Sequence, residues 1–423
     1  MLTAHQWLVF VFFVIGYLCI IFEHVIGIHK TTSAILTAAV CWIVHFLGPV
    51  PYSQDLAQFS VSLSDTSAIV FFLLGALAIV ETIHEHGALN LVCHIIRVRT
   101  KKGMLWVVAF VTFFLSAILD NLTTTVVMVV LLRRLLYERE ERLIFGSAVV
   151  IAANAGGAWT PMGDVTTTML WVQEKLSASV LMGSLLLPSL ACLLVSVLYI
   201  SRYVRGDMAP ERVKVSALIQ PAARPILIFG MFALAAVPLA KCMTGLPPFL
   251  GMLTALAFVW LLTDYFHASD PNRQKLRMPA ILPRIDIVSL LFFLGILLSV
   301  TVLRIAGILR VLAQQIDAIL PVKEWVAVAI GIFSSIVDNV PLVAAAMNMY
   351  DAAAYPMDSS FWRLVAYCAG TGGSILIIGS AAGIAFMGLE RVNFFWYVRR
   401  AAVPALLGYF AGVGVYALQL YCV

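Results

Sequence analysis

The chain is 423 residues long, and 62% of its residues are hydrophobic while only 12% carry a charge. Its mean hydropathy of +0.99 excludes a water-soluble globule, because most of such a chain could not be solvated. The formal net charge of +5 comes from basic residues in short loops, a distribution that does not indicate nucleic-acid binding. The seven cysteines are scattered and form no CxxC pair, so we expect them to be small core residues.

Apolar runs of about 20 residues recur along the chain without the period-2 alternation of a membrane barrel. No basic n-region or cleavage site accompanies the first run, so we expect it to be retained rather than removed as a signal peptide. The predicted helical spans are 5–23, 33–50, 66–83, 144–170, 179–201, 225–241, 249–265, 286–303, 363–388 and 400–420.

Two further apolar stretches, 103–134 and 323–349, differ from these spans. Basic residues flank the first stretch on both sides, and the positive-inside rule therefore places both of its ends in the cytoplasm. A stretch with both ends on one side and a polar Asp120-Asn121 centre predicts a re-entrant helical hairpin. The second stretch has poorly basic flanks and is expected to enter from the outside.

The other loops agree with this orientation. Loops 202–224 and 266–285 are basic and are separated by two spans, so both are assigned to the cytoplasm. The sequence thus predicts a multi-pass protein of the bacterial inner membrane with both termini outside.

The two halves of the chain resemble each other. Phe72–Val92 aligns with Phe292–Leu312, Ser116–Met128 with Ser334–Ala346, and Gly156-Gly157 with Gly372-Gly373, as the printed sequence shows. Five crossings per half give the halves opposite orientations, which is typical of secondary transporters. We therefore predict an all-α polytopic membrane protein with two inverted repeats, each with five transmembrane helices and one hairpin, and with helices broken at the midplane. The repeats are 1–201 and 225–423, joined by a cytoplasmic linker at 202–224.

Asp120 and Asp338 occupy equivalent positions at the two predicted hairpin tips, and each is followed by an asparagine, Asn121 or Asn339. A carboxylate inside a membrane helix costs roughly 2.5–3.5 kcal/mol on insertion scales, so it usually faces a cavity or a partner. Carboxylate and amide oxygens beside free helix ends are hard ligands that suit sodium or lithium. The alternative is a turn in which the aspartate only caps the second helix of the hairpin.

A second group of polar residues lies in the span 144–170, at 154–167. Its glycines and Pro161 predict a break in the helix, although a packing kink with Asp164 near an aqueous rim is the alternative. The second copy keeps the glycines and hydroxyls but has Ser380 opposite Asp164. The candidate ion- and proton-binding residues are Asp120, Asn121, Thr123, Thr124, Asn154, Thr160, Asp164, Thr167, Asp338, Asn339, Ser374 and Ser380, with the three aspartates as sodium ligands.

Four motifs carry a family resemblance: SAILDNLTTT, NAGGAWTPMGDVTT, SSIVDNVPL and GTGGSILIIGSAAG. On these motifs the chain resembles the NhaD-type sodium/proton antiporters of the ion transporter superfamily. The related dicarboxylate transporters carry Ser-Asn-Thr at the hairpin tips, where this chain has aspartates. The resemblance implies a dimeric scaffold domain, a mobile transport domain and elevator-like alternating access.

The expected mechanism is competition, in which the three aspartates bind either protons or a sodium or lithium ion. Burial and mutual repulsion should hold protons on at least one carboxylate near the working pH. Other candidates are a sodium-coupled carboxylate symporter or an arsenite or anion carrier of the same superfamily, which an arginine at a hairpin tip would favour, and a membrane-embedded enzyme. No nucleotide-binding loop or nucleophile constellation is present in the sequence, so we predict a transporter without a cofactor.

Glu81, near the cytoplasmic end of the third span, could admit protons or could simply be a solvated helix end. His84 and His86 are two residues apart on that helix and do not face each other, which argues against a metal chelate. Residues 305–318 and 85–97 are expected to form interfacial amphipathic arms. The predicted partners are sodium or lithium ions, protons, the lipid bilayer and a second copy of the chain as a homodimer, with no nucleic acid.

Overall fold

The computed structural model describes residues 3–89, 98, 100–207, 220–268, 270–320, 322–350 and 354–422. Twenty α-helices lie in these ranges, together with short 3₁₀ or π-helical turns at 201–203, 271–276, 282–284 and 398–402. In chain order the helices are α1 Ala4–Ile21, α2 Glu23–Ile26, α3 Lys30–Phe46, α4 Tyr52–Glu85, α5 Lys101–Ser116, α6 Asn121–Leu135, α7 Arg139–Gly157, α8 Val165–Val172, α9 Ala178–Ile200, α10 Ala223–Thr244, α11 Pro248–His267, α12 Met278–Ile281, α13 Ile287–Ile305, α14 Ile308–Ile319, α15 Lys323–Phe333, α16 Asn339–Met349, α17 Ser360–Gly372, α18 Ala381–Glu390, α19 Phe394–Tyr397 and α20 Val403–Cys422.

Several of these helices are long and apolar enough to cross a membrane. Large apolar side chains such as Phe232 and Leu261 lie exposed on their outer faces, where lipid would cover them. The prediction of an all-α polytopic membrane protein is therefore confirmed. By length and composition, the candidate membrane spans within the described ranges are Ala4–Ile21, Tyr52–Glu85, Ala178–Tyr203, Ala223–Thr244, Pro248–His267, Ile287–Ile305 and Phe394–Tyr421.

Helix α4 contains the predicted span 66–83 and extends beyond it towards the N-terminus. It begins at Tyr52, directly after Pro51, and continues without a proline to Glu85. The first turns of α4 carry polar residues, so the hydropathy of these turns does not indicate a membrane span. These turns nevertheless pack into the fold, because Asp55 and Ser62 are buried against neighbouring helices.

The helices that carry the predicted site are interrupted. The stretch 103–134 contains α5 and α6, separated at 117–120, and 323–349 contains α15 and α16, separated at 334–338. The spans 144–170 and 363–388 are likewise interrupted, between α7 and α8 and between α17 and α18. These gaps fall on the Asp-Asn pairs and on the glycine-rich segments that predicted them.

The packing brings these interruptions together. Helix α5 packs against α7, and α15 packs against α17. The second pieces of the broken spans cross to the other half of the chain: α8 packs against α16 and α17, and α18 packs against α6 and α7. Around them α9 packs along α20, α3 lies between α1 and α13, and α4 contacts α10, α11 and α13.

Two glycines make the close crossings possible. A Cβ atom on Gly156 would lie 2.1 Å from the carbonyl oxygen of Phe113 in α5, and a Cβ on Gly372 would lie 2.0 Å from that of Gly331 in α15. Since a backbone oxygen cannot swing aside as a flexible side chain can, only glycine fits at either crossing.

The predicted arm at 305–318 is helical, as α14, and packs on α13 and α16. Most of the other predicted arm, 85–97, lies outside the described residues, as does 208–219 of the predicted linker.

Candidate ion-binding site

Four helices begin at the interruptions, each with a short polar side chain at its N-cap. Such side chains accept hydrogen bonds from the free backbone N–H groups of the first turn. The predicted alternative, in which the aspartates cap the following helices, is therefore present. It is compatible with ion binding, because a carboxylate that caps a helix still has lone pairs for a second partner. The N-cap residues are Asp120 for α6, Asp164 for α8, Asp338 for α16 and Ser380 for α18.

Asp120 and Asp338, the aspartates of the two Asp-Asn interruptions, differ in backbone conformation. Asp120 has φ +135° and ψ 162°, in a region that is essentially restricted to glycine, whereas Asp338 has φ −49°. A residue held in such a region costs about 1–3 kcal/mol and persists only where surrounding contacts demand it. At Asp120 those contacts are the backbone N–H of Thr123, 2.7 Å from one carboxylate oxygen, and its hydroxyl, 2.9 Å from the other.

Asp164 is the centre of the hydrogen-bond network and is only 2% exposed. The amide nitrogen of Asn121 lies 2.8 Å from its Oδ2, and that of Asn339 lies 3.3 Å from the same oxygen. Its Oδ1 accepts from the backbone N–H and the hydroxyl of Thr166, both at 2.9 Å. The carboxylate between α7 and α8 is therefore held by the asparagine that begins α6 and by the asparagine that begins α16.

Asn154 extends the network to the second half of the chain and is fully buried. Its Oδ1 accepts from Asn121 at 3.1 Å, and its Nδ2 donates to the hydroxyls of Ser374 at 2.8 Å and Ser380 at 2.9 Å. These hydrogen bonds join six of the predicted site residues in one cluster: Asn121, Asn154, Asp164, Asn339, Ser374 and Ser380.

The threonines predicted as site residues differ in the hydrogen bonds that their hydroxyl groups make. The hydroxyl of Thr160 donates to the carbonyl of Ala117 at 2.5 Å, and that of Thr167 donates to the carbonyl of Asp164 at 2.9 Å, so both tie the broken backbone together. Thr124 is buried in the first turns of α6, and its hydroxyl has no hydrogen-bond partner among the described residues. Thr125, which the sequence analysis did not select, has the same property.

A cavity of about 300 Å³ reaches the three aspartates. Its apolar walls come from α4 and α13, through side chains such as Phe72 and Phe292. Glu81 and His84 lie on its wall towards the end of α4, and the His84 Nδ1 lies 3.6 Å from a Glu81 oxygen. The predicted site residues that are not on the wall are Thr124, Asn154, Thr160, Thr167, Ser374 and Ser380. Asp164 is close enough to both Asp120 and Asp338 for electrostatic repulsion between the carboxylates.

His86 does not face His84. Its Nε2 lies 3.0 Å from that of His267 on α11, and its Nδ1 lies 2.7 Å from the carbonyl of Thr82. This buried histidine pair was missed because residues so far apart in sequence show no shared motif.

Lys30 is a further residue that the motifs did not indicate. Its Nζ lies 3.4 Å from the Oδ2 of Asp338 and 4.6 Å from the centre of the Phe292 ring. One feature of the sequence could have indicated it: a lysine at the first position of an apolar helix, where the helix dipole disfavours a cation.

The arrangement suits a small cation better than a covalent reaction. Carboxylate, amide and hydroxyl oxygens converge on a mostly apolar cavity, and no serine or cysteine among the described cavity-lining residues is hydrogen-bonded to a histidine, as an activated nucleophile would be. Ser289 donates instead to Asp286, the N-cap residue of α13. Helices that are long and apolar enough to cross a membrane surround this site, an arrangement typical of a membrane transport protein.

Comparison with known proteins agrees with this class. The family described as "Citrate transporter" matches residues 17–370. "Sodium/proton antiporter 1" of Arabidopsis thaliana is 48% identical over 407 residues, which are 96% of this chain and 71% of that protein, and "Sodium/proton antiporter 2" of the same plant is 47% identical over 96% of this chain and 97% of its own length. "Na(+)/H(+) antiporter NhaD" of Halomonas elongata is 29% identical over 96% of this chain and 87% of its own length.

The chain belongs to this transporter family and, within it, to the NhaD-type sodium/proton antiporters. The resemblance predicted from the four motifs is confirmed.

Proposed function

We propose that the protein exchanges sodium ions for protons at the cluster centred on Asp164. The observation that carries the proposal is a buried carboxylate that is hydrogen-bonded by Asn121 and Asn339 and shares its cavity with Asp120 and Asp338. The printed names of the relatives, which describe sodium/proton antiporters, support the same exchange. The transported ions are substrates, and the proposed cycle uses no resident cofactor.

Competition for the same carboxylates couples the two ions. A proton or a sodium ion each neutralises one negative charge, so the loaded site has the same net charge with either ligand. Since the ligands are hard oxygens, lithium is expected to bind in place of sodium. Glu81, on the cavity wall towards the end of α4, is positioned to pass protons to or from the cavity.

The proposed architecture is a pair of inverted repeats, 1–201 and 225–423, with re-entrant hairpins α5–α6 and α15–α16. Recurring contacts support it. The Ser116 hydroxyl donates to the carbonyl of Ala153 at 2.7 Å, and the Ser334 hydroxyl donates to that of Ala369 at 3.0 Å. The glycine crossings of α7 on α5 and of α17 on α15 form a second such pair.

For alternating access we propose an elevator movement, with α5–α8 and α15–α18 as the moving unit. The scaffold would contain α1, α3, α4, α10, α11 and α13 and would form a homodimer. Both termini are proposed to lie outside, opposite the basic loops. The bacterial inner membrane stays a prediction, since the relatives compared come from plants as well as bacteria.

The description of the matched family as citrate transporters favours a second candidate, a sodium-coupled carboxylate symporter. Five carboxylates on the cavity wall, including the three aspartates of the site, would repel such an anion, however, and Arg284 on that wall is already paired with Glu85. Sodium/proton exchange is therefore the function that the site supports best.

Purified protein in proteoliposomes with an internal pH dye separates the candidates. We expect outward sodium or lithium gradients to drive proton uptake and citrate or potassium to have no effect. Asp164→Asn should abolish the signal, whereas Asp286→Asn, at the N-cap of α13 on the same cavity wall, should retain it. Proton movement that requires citrate would overturn the proposal in favour of the symporter.

A further inference from the structure

The ammonium group of Lys30 faces a carboxylate of the proposed ion site. The Lys30 Nζ lies 3.4 Å from Asp338, and the two side chains are only 27% and 20% exposed. Arg284 also lies on the cavity wall, but it is paired with Glu85. Of Lys30 and Arg284, only Lys30 therefore neutralises an aspartate of the proposed ion site. The pair is partly screened from solvent, and its electrostatic energy is correspondingly larger than that of a surface pair.

Helix stability does not explain a lysine at this position. Lys30 is the first residue of α3, where the positive end of the helix dipole repels a cation. The N-cap is already provided by His29, whose ring nitrogen accepts from the backbone N–H of Thr31 at 3.2 Å. The ammonium group is stabilised instead by its partners in the cavity, Asp338 and the face of Phe292.

The two partners belong to different groups of helices. The start of α3 is anchored to α13, because the Thr31 hydroxyl donates to the carbonyl of Val288 at 3.1 Å. Asp338, in contrast, sits at the interruption between α15 and α16. The ion pair therefore connects the proposed scaffold with a tip of the proposed moving unit.

We propose that Lys30 is an internal counter-cation that neutralises Asp338 in the empty site, tethers the hairpin tip to α3, and is displaced when sodium binds. This role rests on the proposed function. It makes Lys30 a positioning residue and a competitor of sodium, since a carboxylate oxygen that pairs with the ammonium group is not free to bind the ion. The other charged groups on the cavity wall are Glu81, His84, Asp120, Asp164, Arg284 and Asp286, and Tyr17 of α1 also interacts electrostatically with Asp338.

Chemical restoration of the charge tests this role on a single protein sample. Lys30→Cys is introduced into a protein whose native cysteines have been replaced, and the variant is reconstituted. One part of the sample is treated with 2-aminoethyl methanethiosulfonate, which restores a cation at this position. The other part is treated with methyl methanethiosulfonate, which adds a small neutral group. We expect the KM for sodium to be about three- to tenfold lower in the neutral form than in the cationic form, because competition from the ammonium group is lost. Both forms contain the same folded protein, so a structural defect would not separate them.

Lys241 provides the matched control. It also pairs with an acid, Glu174 at 3.6 Å, and lies over an aromatic ring, Trp171, but it is not on the wall of this cavity. Lys241→Cys should show the same sodium KM with either reagent. If Lys30→Cys does not accumulate in the membrane, Lys30→Arg and Lys30→Gln replace the two labelled forms.

The outcomes separate the two proposals. An unmodified protein that shows no sodium-driven proton movement would overturn the proposed antiport. Normal exchange with equal sodium KM in the cationic and neutral forms, or with a higher KM in the neutral form, would overturn only the role of Lys30.

Discussion

Asp164 accepts hydrogen bonds from two asparagines at unequal distances, 2.8 Å from Asn121 and 3.3 Å from Asn339. Asn121 in addition donates to Asn154, so its loss would leave two buried acceptors with one partner fewer. A hydrogen bond to a charged group is worth about 1.5–3 kcal/mol. We therefore predict that Asn121→Ala raises the KM for sodium about tenfold or more and that Asn339→Ala raises it less.

Asn348 on α16 gives the control for these variants. Its amide donates to the carbonyl of Ala344 within the helix, and Asn348 does not line the cavity. The sodium KM of Asn348→Ala should equal that of the unmodified protein. An equal rise in the sodium KM for Asn121→Ala and Asn339→Ala would contradict the predicted difference between the two asparagines.

The substitution Asp164→Ser makes the two broken helices alike, since Ser380 already caps α18. We expect sodium-driven proton movement to be reduced or lost and its pH dependence to shift to lower pH. Removing one negative charge weakens the repulsion that helps the neighbouring carboxylates to hold protons, and each pH unit corresponds to about 1.4 kcal/mol. The measurement is the pH profile at equal amounts of reconstituted protein, and superimposable profiles would reduce Asp164 to a structural cap.

At the scale of the helices, the crossing of α7 on α5 depends on Gly156. An added Cβ would meet a backbone oxygen at 2.1 Å, so Gly156→Ala must push the two helices apart. Overpacking of this kind costs roughly 1–3 kcal/mol. We predict a clear fall in the thermal stability of the detergent-solubilised protein, measured by the loss of the monodisperse peak in size-exclusion chromatography after heating.

Gly183 is the appropriate comparison for this variant. It lies inside α9 and has no heavy atom within 4 Å of its added Cβ. Because alanine is also the better helix former, Gly183→Ala should leave the stability unchanged or slightly higher. Equal melting of the two variants would contradict the tight crossing.

The interruptions of the helices were predictable from the sequence, whereas one helix start and the long-range partners were not. Glycine widens the range of backbone conformations and proline removes a helix hydrogen-bond donor, so the break after Gly157 follows from nearby residues alone. The start of α4 at Tyr52 was missed because buried polar residues such as Asp55 do not raise the hydropathy. Lys30 and Asp338 are about 300 residues apart in sequence, and only the packing of α3, α13 and α16 brings them together.

For the whole molecule, the position of the cavity sets the direction from which ions reach the site. Arg284 lies on the wall of the cavity, three residues before the start of α13 and at the end of a basic loop. By the positive-inside rule this end is expected to face the cytoplasm. The conformation described here is therefore expected to admit ions and reagents from the cytoplasmic side.

Leu122, at the tip of α5–α6, lines the cavity and is the position to test this access. In a background without native cysteines, we predict that Leu122→Cys reacts with a membrane-impermeant maleimide from the cytoplasmic side and that the reaction blocks exchange, because the label fills the space beside Asp120. Tyr137 lies in the loop after α6, and its side chain is 78% exposed. As the control, Tyr137→Cys should react from the same side without blocking exchange. In an alternating-access carrier, reagent on the far side reaches Leu122→Cys more slowly and at a rate that depends on sodium. Inside-out and right-side-out vesicles separate the two directions, and reaction from the far side alone would contradict the proposed orientation.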